Sequence, residues 1–583
     1  MTRSLAEPGV GPGVGSVAGR GRGRAIWRGL DLTKIISAAA LLALLFLVAT
    51  PVGSLVISSL RSTDTGAFTL ENYVIAYWNW SDIQALGNSL LYAVEVTVLS
   101  AVFAVPLAWG VSRTDMPGKG LIQVLTLGAF ITPPYLGAIA WILLAGPNAG
   151  WLNRAWMAVT GAEHGLVNIY TFSGMVVVTA LYAFPYMFVF TSDALDRVSS
   201  EMEEAASILG SGGMRTIFRI TLPLVLPAII GGAIVVFLDT VALFGTPAII
   251  ALPARIKVMT LQLWQFFEFP VRAEAAAAYA IPLVLVTAAL FAVQRVVLGR
   301  KGYIALTGKG GVRRPTVLGP WRWVMFAYAL FVVGLAVLLP YAALAQAAFS
   351  KAWGLGFHWA NLTFGNFSAL LADPASRETI LHSFTYSAAS ACFAVVLALA
   401  AAYLVSRRLG RFTKVLTALC MAPLVIPGIV LAIGFYSAWS PPPLALYGTA
   451  TILVLGFTAR FLPIAYVNCM AGLRSLNPEM EDAVRILGGS RTLAVTRVVV
   501  PLLKKSLVGS WLLVFIPATR ELSVAIFLVA AHTRVIAMMM LDLSENGSFE
   551  TLAALGFVLL LATILIVMVG YRLVGRDFML RRS

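Results

Sequence analysis

Apolar residues in this chain fall in long blocks separated by short polar stretches. The blocks are about 22 to 28 residues long, enough to cross a bilayer of about 30 Å as helices. Backbone groups in lipid must be paired internally, so helical spans are the expected form. The alternation of a transmembrane barrel is absent. The pattern predicts an all-α polytopic membrane protein with twelve spans. They lie at about 35–60, 87–112, 120–145, 171–195, 223–247 and 275–298, then 321–347, 381–406, 414–439, 449–472, 503–530 and 552–573.

Charge orients this arrangement. With the N-terminus in the cytoplasm, the seven cytoplasmic segments hold 6, 2, 3, 7, 4, 6 and 4 Lys plus Arg, 32 in all, and the external loops hold 8. Arg460 and Arg520 lie within spans. This positive-inside bias predicts that both termini are cytoplasmic, and removing one span would reverse every later loop. The same bias explains the net charge of +16 without nucleic acid as a partner. Only 12% of residues are charged, against about 25% in soluble domains. Residues 1–33 are Gly, Pro and Arg-rich and read as a disordered cytoplasmic tail. The first apolar block is too long for a cleaved signal peptide and is expected to be retained.

The chain repeats itself. Thr69-Leu70-Glu71-Asn72 parallels Thr363-Phe364-Gly365-Asn366, and Val111-Ser112-Arg113 parallels Val405-Ser406-Arg407, both at an offset of 294 residues. Pro133 parallels Pro427. The offset then falls to 278, where Pro185 parallels Pro463 and Leu195 parallels Leu473. A longer external loop after the third span of the first half accounts for the difference. Six spans per half is an even number, so the repeat is parallel. The predicted domains are 34–299 and 321–583, joined by a basic, Gly-rich linker at 300–320.

The most informative repeat is a polar loop. Its first copy reads Glu204-Ala205-Ala206, Gly210, then Ile220-Thr221-Leu222-Pro223. Its second reads Asp482-Ala483-Val484, Gly488, then Val498-Val499-Val500-Pro501. Ser200 and Glu203 form a capping-box pattern, and Asn477-Pro478 supplies the cap and first position of the second copy. Acidic residues in the first turn suit the positive helix end. Gly210 and Gly488 end each helix. A second short helix, Met214 to Thr221, runs to Pro223, which marks entry into the next span. Alanine and glycine permit close approach by another protein, and the leucine and isoleucine beside them supply an anchor.

The first copy matches at every specified position the EAA pattern, E-A-A-x3-G-x9-I-x-L-P, of permease subunits of binding-protein-dependent type I ABC importers. The second departs at Asp482, Val484, Val498 and Val500. From about residue 35 the chain resembles the fused, two-permease-domain members of the ferric-iron group, which includes thiamine and aminoethylphosphonate relatives. Supporting stretches are Leu107-Ala108-Trp109-Gly110-Val111, Asp115-Met116-Pro117-Gly118, Gly245-Thr246-Pro247-Ala248, Thr307-Gly308-Lys309-Gly310 and Arg520-Glu521-Leu522-Ser523. The resemblance implies a multi-pass bacterial inner-membrane permease. Its motif loops, through Glu204, Ala205, Ala206, Gly210, Pro223, Asp482, Ala483, Gly488 and Pro501, would rest as coupling helices on a cytoplasmic ABC ATPase dimer. A periplasmic solute-binding protein would deliver the solute. Ferric iron leads among solutes, with thiamine, a phosphonate and a polyamine open.

The chain has no G-x4-G-K-[ST] loop, so ATP and Mg are expected on the partner ATPase and no enzyme activity in this chain. An ion-coupled secondary transporter is the rival class, and the paired motif loops argue against it. Ionisable residues inside spans are functional candidates. Here they are Glu95, Asp239, Arg460, Arg520 and Glu521, with Tyr182 and Tyr186 flanking Pro185. They are expected to line a pathway or gate, or to form an ion pair such as Arg460 with Glu521. Cys392, Cys420 and Cys469 read as small core residues, and the four histidines show no metal-ligand spacing.

Replacing Glu204→Arg together with Gly210→Leu is expected to abolish ATP-driven uptake in vesicles while leaving the protein inserted. Matching changes at Asp482 and Gly488 are expected to do less damage. Equal damage there would refute the asymmetry.

Overall fold

In the computed structural model, residues 32–62, 65–198, 203, 205–206, 208–300 and 315–574 are described. The tail at 1–31, most of the linker and Glu204 lie outside them. Among the described residues the chain is helical throughout its membrane segments. The first half has α1 (Ile35–Ser59), α2 (Trp80–Arg113), α3 (Lys119–Ile131), α4 (Pro134–Ala145), α5 (Trp151–Thr160), α6 (Phe172–Arg197), α7 (Ile217–Val241), α8 (Gly245–Ile250) and α9 (Ala273–Gln294). The second has α10 (Trp321–Ala348), α11 (Pro374–Ser406), α12 (Thr413–Val425), α13 (Gly428–Trp439), α14 (Ala450–Ser475), α15 (Glu479–Ile486), α16 (Arg491–Thr519) and α17 (Phe549–Gly570).

Two of the twelve expected spans are broken. The block at 120–145 is the pair α3 and α4, bent by 103°, and the block at 414–439 is the pair α12 and α13, bent by 115°. The cause is proline. Pro133 and Pro427 lack an N–H and push the preceding residue out of the helical region. Thr132 and Ile426 are accordingly extended, with ψ of 127° and 120°.

Each broken pair still carries the chain across once. Arg113 at the end of α2 pairs with Glu203 just after α6, at 2.9 Å, so α2 and α6 end on the same face. The chain between them must therefore cross. Arg407, just after α11, pairs with Glu481 just after α14 at 2.6 Å, which makes the same argument for α12 and α13. The strand-like contact of Thr114 with Thr316 puts the start of α10 beside the end of α2. Thr316 N–H donates to Arg113 carbonyl at 2.8 Å, and Leu318 N–H donates to Asp115 Oδ1 at 2.8 Å. α10 then crosses away and α11 crosses back, so both motif loops lie on one face. Twelve crossings and a parallel repeat follow.

The prolines that open spans are absorbed rather than obeyed. Widened π-turns at Leu45–Ala49, Ile217–Thr221, Gly334–Leu338 and Val495–Val499 each precede a proline by one residue: Pro51, Pro223, Pro340 and Pro501. A π-turn accommodates the missing donor without ending the helix. Pro223 and Pro501 therefore sit inside continuous helices that begin in the motif loops, so the short helix expected at Met214 to Thr221 runs on into the span.

Each half is centred on three mutually packed helices: α2, α6 and α7 in the first, and α11, α14 and α16 in the second. The first span of each half packs on the other half. α1 lies against α11 and α13, and α10 lies against α2, α3 and α4. The division at the linker thus separates the sequence but not the packing. Gly434 of α13 shows how close the exchange is, since a Cβ there would lie 2.6 Å from the Pro51 carbonyl of α1. Cys420 and Cys469 are buried as expected, but Cys392 is exposed on α11, where its sulfur accepts from Trp511 Nε1 at 3.2 Å.

Gly434→Val is expected to destabilise the purified chain by about 2 kcal/mol through overpacking, read as a lower thermal midpoint in detergent. An unchanged midpoint would refute the close exchange of α1.

Candidate functional site: paired motif loops and the charged breaks

Each motif loop is anchored from below and bare on top. Glu203 pairs with Arg113, which also donates from Nη1 to the Val198 carbonyl at 3.1 Å. Thr221 Oγ1 donates to Glu203 Oε1 at 2.7 Å. Thr221 closes the π-turn in the first part of α7, so one carboxylate ties together the end of α2, the loop and the first part of α7. Glu203 thus forms this brace; the expected capping box rests on Ser200, which lies outside the described residues. In the second half Glu481 accepts from Arg407 Nε at 2.7 Å and from Tyr403 Oη at 2.7 Å. Asn477 Oδ1 accepts the Glu479 N–H at 3.1 Å, so it caps α15 as expected, with Pro478 between.

Above each brace the loop ends in two bare apolar side chains. Ile208 and Leu209 are 86% and 87% exposed, and their counterparts Ile486 and Leu487 are 85% and 87% exposed. Singly exposed apolar residues are common, but here an adjacent pair recurs at matching positions of both halves. The adjoining Gly210 and Gly488 have φ of +79° and +83°, a region costly for other residues. Ala205 and Ala483 are exposed beside them, and Ala206 is buried. Asp482 is exposed and pairs with Arg485 at 3.6 Å, a contact worth little on an open surface.

The intramembrane charges gather at the two helix breaks. Arg520 Nη1 donates to the Phe130 carbonyl at 2.9 Å and to the Ile131 carbonyl, the last of α3. Arg460 Nη1 donates to the Ile426 carbonyl, at the end of α12, at 3.1 Å. A position one carbon out from Gly428, at the start of α13, is 3.3 Å from Arg460 Nε and 3.5 Å from Glu521 Oε1. Glu521 Oε1 also accepts the Val524 N–H at 3.1 Å. Among the described residues no ion pair joins Arg460 to Glu521, so the expected pair is replaced by capping of broken helices. Arg520 and Glu521 lie just past the end of α16, not within it. Asp239 lies in the last turn of α7, within electrostatic reach of Arg460, Arg520 and Glu521.

Arg520 also lies over the Phe130 ring, 6.0 Å from its centre, and Phe130 meets Tyr186 edge-on at 5.1 Å. Asp239, Arg460, Arg520, Glu521 and Tyr186 are all half-buried, whereas Tyr182 is buried against α4. Glu95 is half-buried in α2. Tyr135, at the start of α4, is buried beside Arg520 and Glu521, and its hydroxyl has no hydrogen-bond partner. Among the described residues no three His, Cys, Asp or Glu side chains gather as a metal would need.

On the face opposite the motif loops, aromatic rings close the seam between halves. Phe267 of the first half meets Phe527 at 4.6 Å and Tyr436 at 5.1 Å, and Tyr436 meets Tyr447 at 5.1 Å. Beside them, burial together with the Asp542 and Glu268 carboxylates holds Glu545 above its ordinary range.

The sequence profile described as "Binding-protein-dependent transport system inner membrane component" matches this chain twice, over residues 83–302 and 394–578. The chain is 24% identical over 550 residues to the ferric transport system permease protein FbpB of Actinobacillus pleuropneumoniae, covering 92% of this chain and 77% of that one. It is 26% identical over 469 residues to the "Putative ferric transport system permease protein FbpB 1" of Haemophilus influenzae, covering 78% and 71%. It is 30% identical over 250 residues to a probable molybdenum ABC transporter permease of Haloferax volcanii, covering 42% and 84%.

The braces missed at the sequence level had a signal. Arg113 and Arg407 recur at one offset and Glu203 and Glu481 at the other, but only the fold brings the two offsets together. Glu481→Ala leaves Arg407 buried without its partner and is expected to cost about 3 kcal/mol locally. Hydrogen exchange across 479–489 is expected to accelerate roughly a hundredfold. Unchanged protection would show that the brace does not hold the loop.

Proposed function

The chain belongs to the family of binding-protein-dependent transport system inner membrane components, as a fused pair of ABC importer permease domains, and from that premise we propose that it imports ferric iron. The motif-loop face is cytoplasmic, and each loop is a coupling helix seated in a groove of one subunit of a separate ABC ATPase dimer. ATP and Mg bind that partner. A periplasmic binding protein delivers the solute to the opposite face.

One observation carries this reading: two apolar tips, at matching positions on the same face, each rigidly tied to the helix ends of its own half. A flexible tip would absorb a push. A tip braced by Glu203 or Glu481 passes it to α2 and α7, or to α11. The two core bundles then rock, the aromatic contact around Phe267 opens, and solute passes the half-buried Asp239, Arg460, Arg520, Glu521 and Tyr186. Tyr182 serves packing rather than passage. Ion-coupled transport lacks support from the family.

Ferric iron is preferred because the ferric-transport relatives align over most of this chain, whereas the molybdenum relative aligns over less than half. The test is reconstitution in liposomes with the ATPase and the binding protein, with internal or external ATP and radiolabelled solutes. Ferric uptake is expected to require ATP on the motif-loop side. Placing Asp at Ile208, Leu209, Ile486 and Leu487 is expected to abolish uptake and ATPase association without affecting insertion. Uptake of molybdate but not iron would overturn the solute, and uptake by the quadruple variant would overturn the coupling.

A further inference from the structure

The external loop between α4 and α6 is much longer in the first half than its counterpart between α13 and α14. Within it α5 is held tightly by one edge. Asn153 is fully buried, donates to the Gly146 carbonyl at 2.9 Å and the Val167 carbonyl at 2.6 Å, and accepts the Val167 N–H at 2.8 Å. Trp151 Nε1 donates to Gln346 Oε1 at 3.2 Å, and Arg154 Nη1 donates to the Gly354 carbonyl at 2.7 Å. These contacts bracket the end of α10. The neighbouring Trp353 N–H donates to Glu550 at the start of α17, at 2.9 Å. The helix therefore sits at the level where two spans leave the bilayer.

The free side of α5 is apolar. Leu152, Ala155, Trp156 and Val159 follow the i, i+3, i+4, i+7 spacing of one helix face and are all exposed. Leu355, Phe357 and Trp359 are exposed on the segment that Arg154 holds. Phe68, Trp78 and Trp80 are exposed just before and at the start of α2, which opens from the same face. Tryptophan-bearing belts of this kind mark the membrane–water interface.

We propose that α5, with the segment at 355–359, is an in-plane anchor whose apolar stripe lies in the phospholipid interface on the face opposite the motif loops. The occupant is lipid because the stripe carries no charge. α10, whose end α5 holds, also exposes Val324, Leu330, Phe331 and Leu338 along its length. A short amphipathic helix with Trp and Leu on one face buries that face at the headgroup–acyl boundary. The longer loop thus fastens one half, and not the other, to the plane of the membrane.

The test uses the full chain in phospholipid nanodiscs with Cys392→Ser to remove the exposed native thiol. A polarity-sensitive dye is placed at Trp156→Cys, at Val159→Cys on the same stripe, and at the exposed Ala158→Cys off it. The stripe probes are expected to be blue-shifted relative to the Ala158 probe. They should be quenched severalfold more strongly by lipid spin-labelled near the headgroup than by aqueous iodide. Agreement of the two stripe sites guards against a local fault in either variant. Strong iodide quenching at both, insensitive to spin-labelled lipid, would overturn the anchor. Loss of that iodide quenching on adding the binding protein would assign the surface to protein instead.

Discussion

Inside hydrocarbon, a backbone carbonyl without a donor has no water to turn to. This constraint shapes more of the molecule than any single motif. It makes the spans helical and turns the entry prolines into π-turns. At the two breaks, where proline ends a helix mid-membrane, it demands a donor from elsewhere. Arg520 and Arg460 meet that demand at Phe130, Ile131 and Ile426. Charges that read from sequence as pathway residues therefore have a structural duty first. A guanidinium with several donors can cap a carbonyl and still present an edge to a crevice, so the two roles are compatible.

The braces under the motif loops belong to a different regime. Arg113–Glu203 and Arg407–Glu481 lie at the membrane edge, where desolvation is partial and extra hydrogen bonds from Thr221 or Tyr403 complete the carboxylate's shell. Such pairs contribute little net stability but resist rearrangement, because opening one leaves a buried charge. That is what a force-bearing joint needs. The bare Ile-Leu tips and the buried braces lie at opposite sides of the same loop in each half.

The crossings, the parallel repeat and the motif loops were legible because each rests on periodicity or punctuation local to a short window. The breaks at Thr132 and Ile426 were signalled by Pro133 and Pro427, but a continuous apolar block hid them, since hydropathy counts composition and not direction. The reciprocal packing of α1 and α10 was not legible at all, because both helices are apolar on most sides and choose partners by shape. Cys392 was misplaced for the same reason: in a bilayer an apolar residue gains nothing by facing inward. The brace on Glu203 was not legible because its loop was read alone, whereas Arg113 stands ninety residues earlier.

The repeat is symmetric at the loops and asymmetric in the membrane, and the difference has a mechanical meaning. At the offset of 278 residues, Arg460 corresponds to Tyr182, Arg520 to Ala242 and Glu521 to Leu243. Tyr182 packs on α4 and caps nothing, and its hydroxyl has no partner. The break in the second half is thus capped from within by Arg460, while the break in the first half borrows Arg520 across the seam. Any motion that parts the halves uncovers carbonyls on one side only. The half that keeps its own cap stays whole through the motion, and the half that borrows one must either carry Arg520 with it or exchange that donor for another. The seam is therefore where the cost of motion is concentrated, and Asp239 stands there within electrostatic reach of Arg460, Arg520 and Glu521.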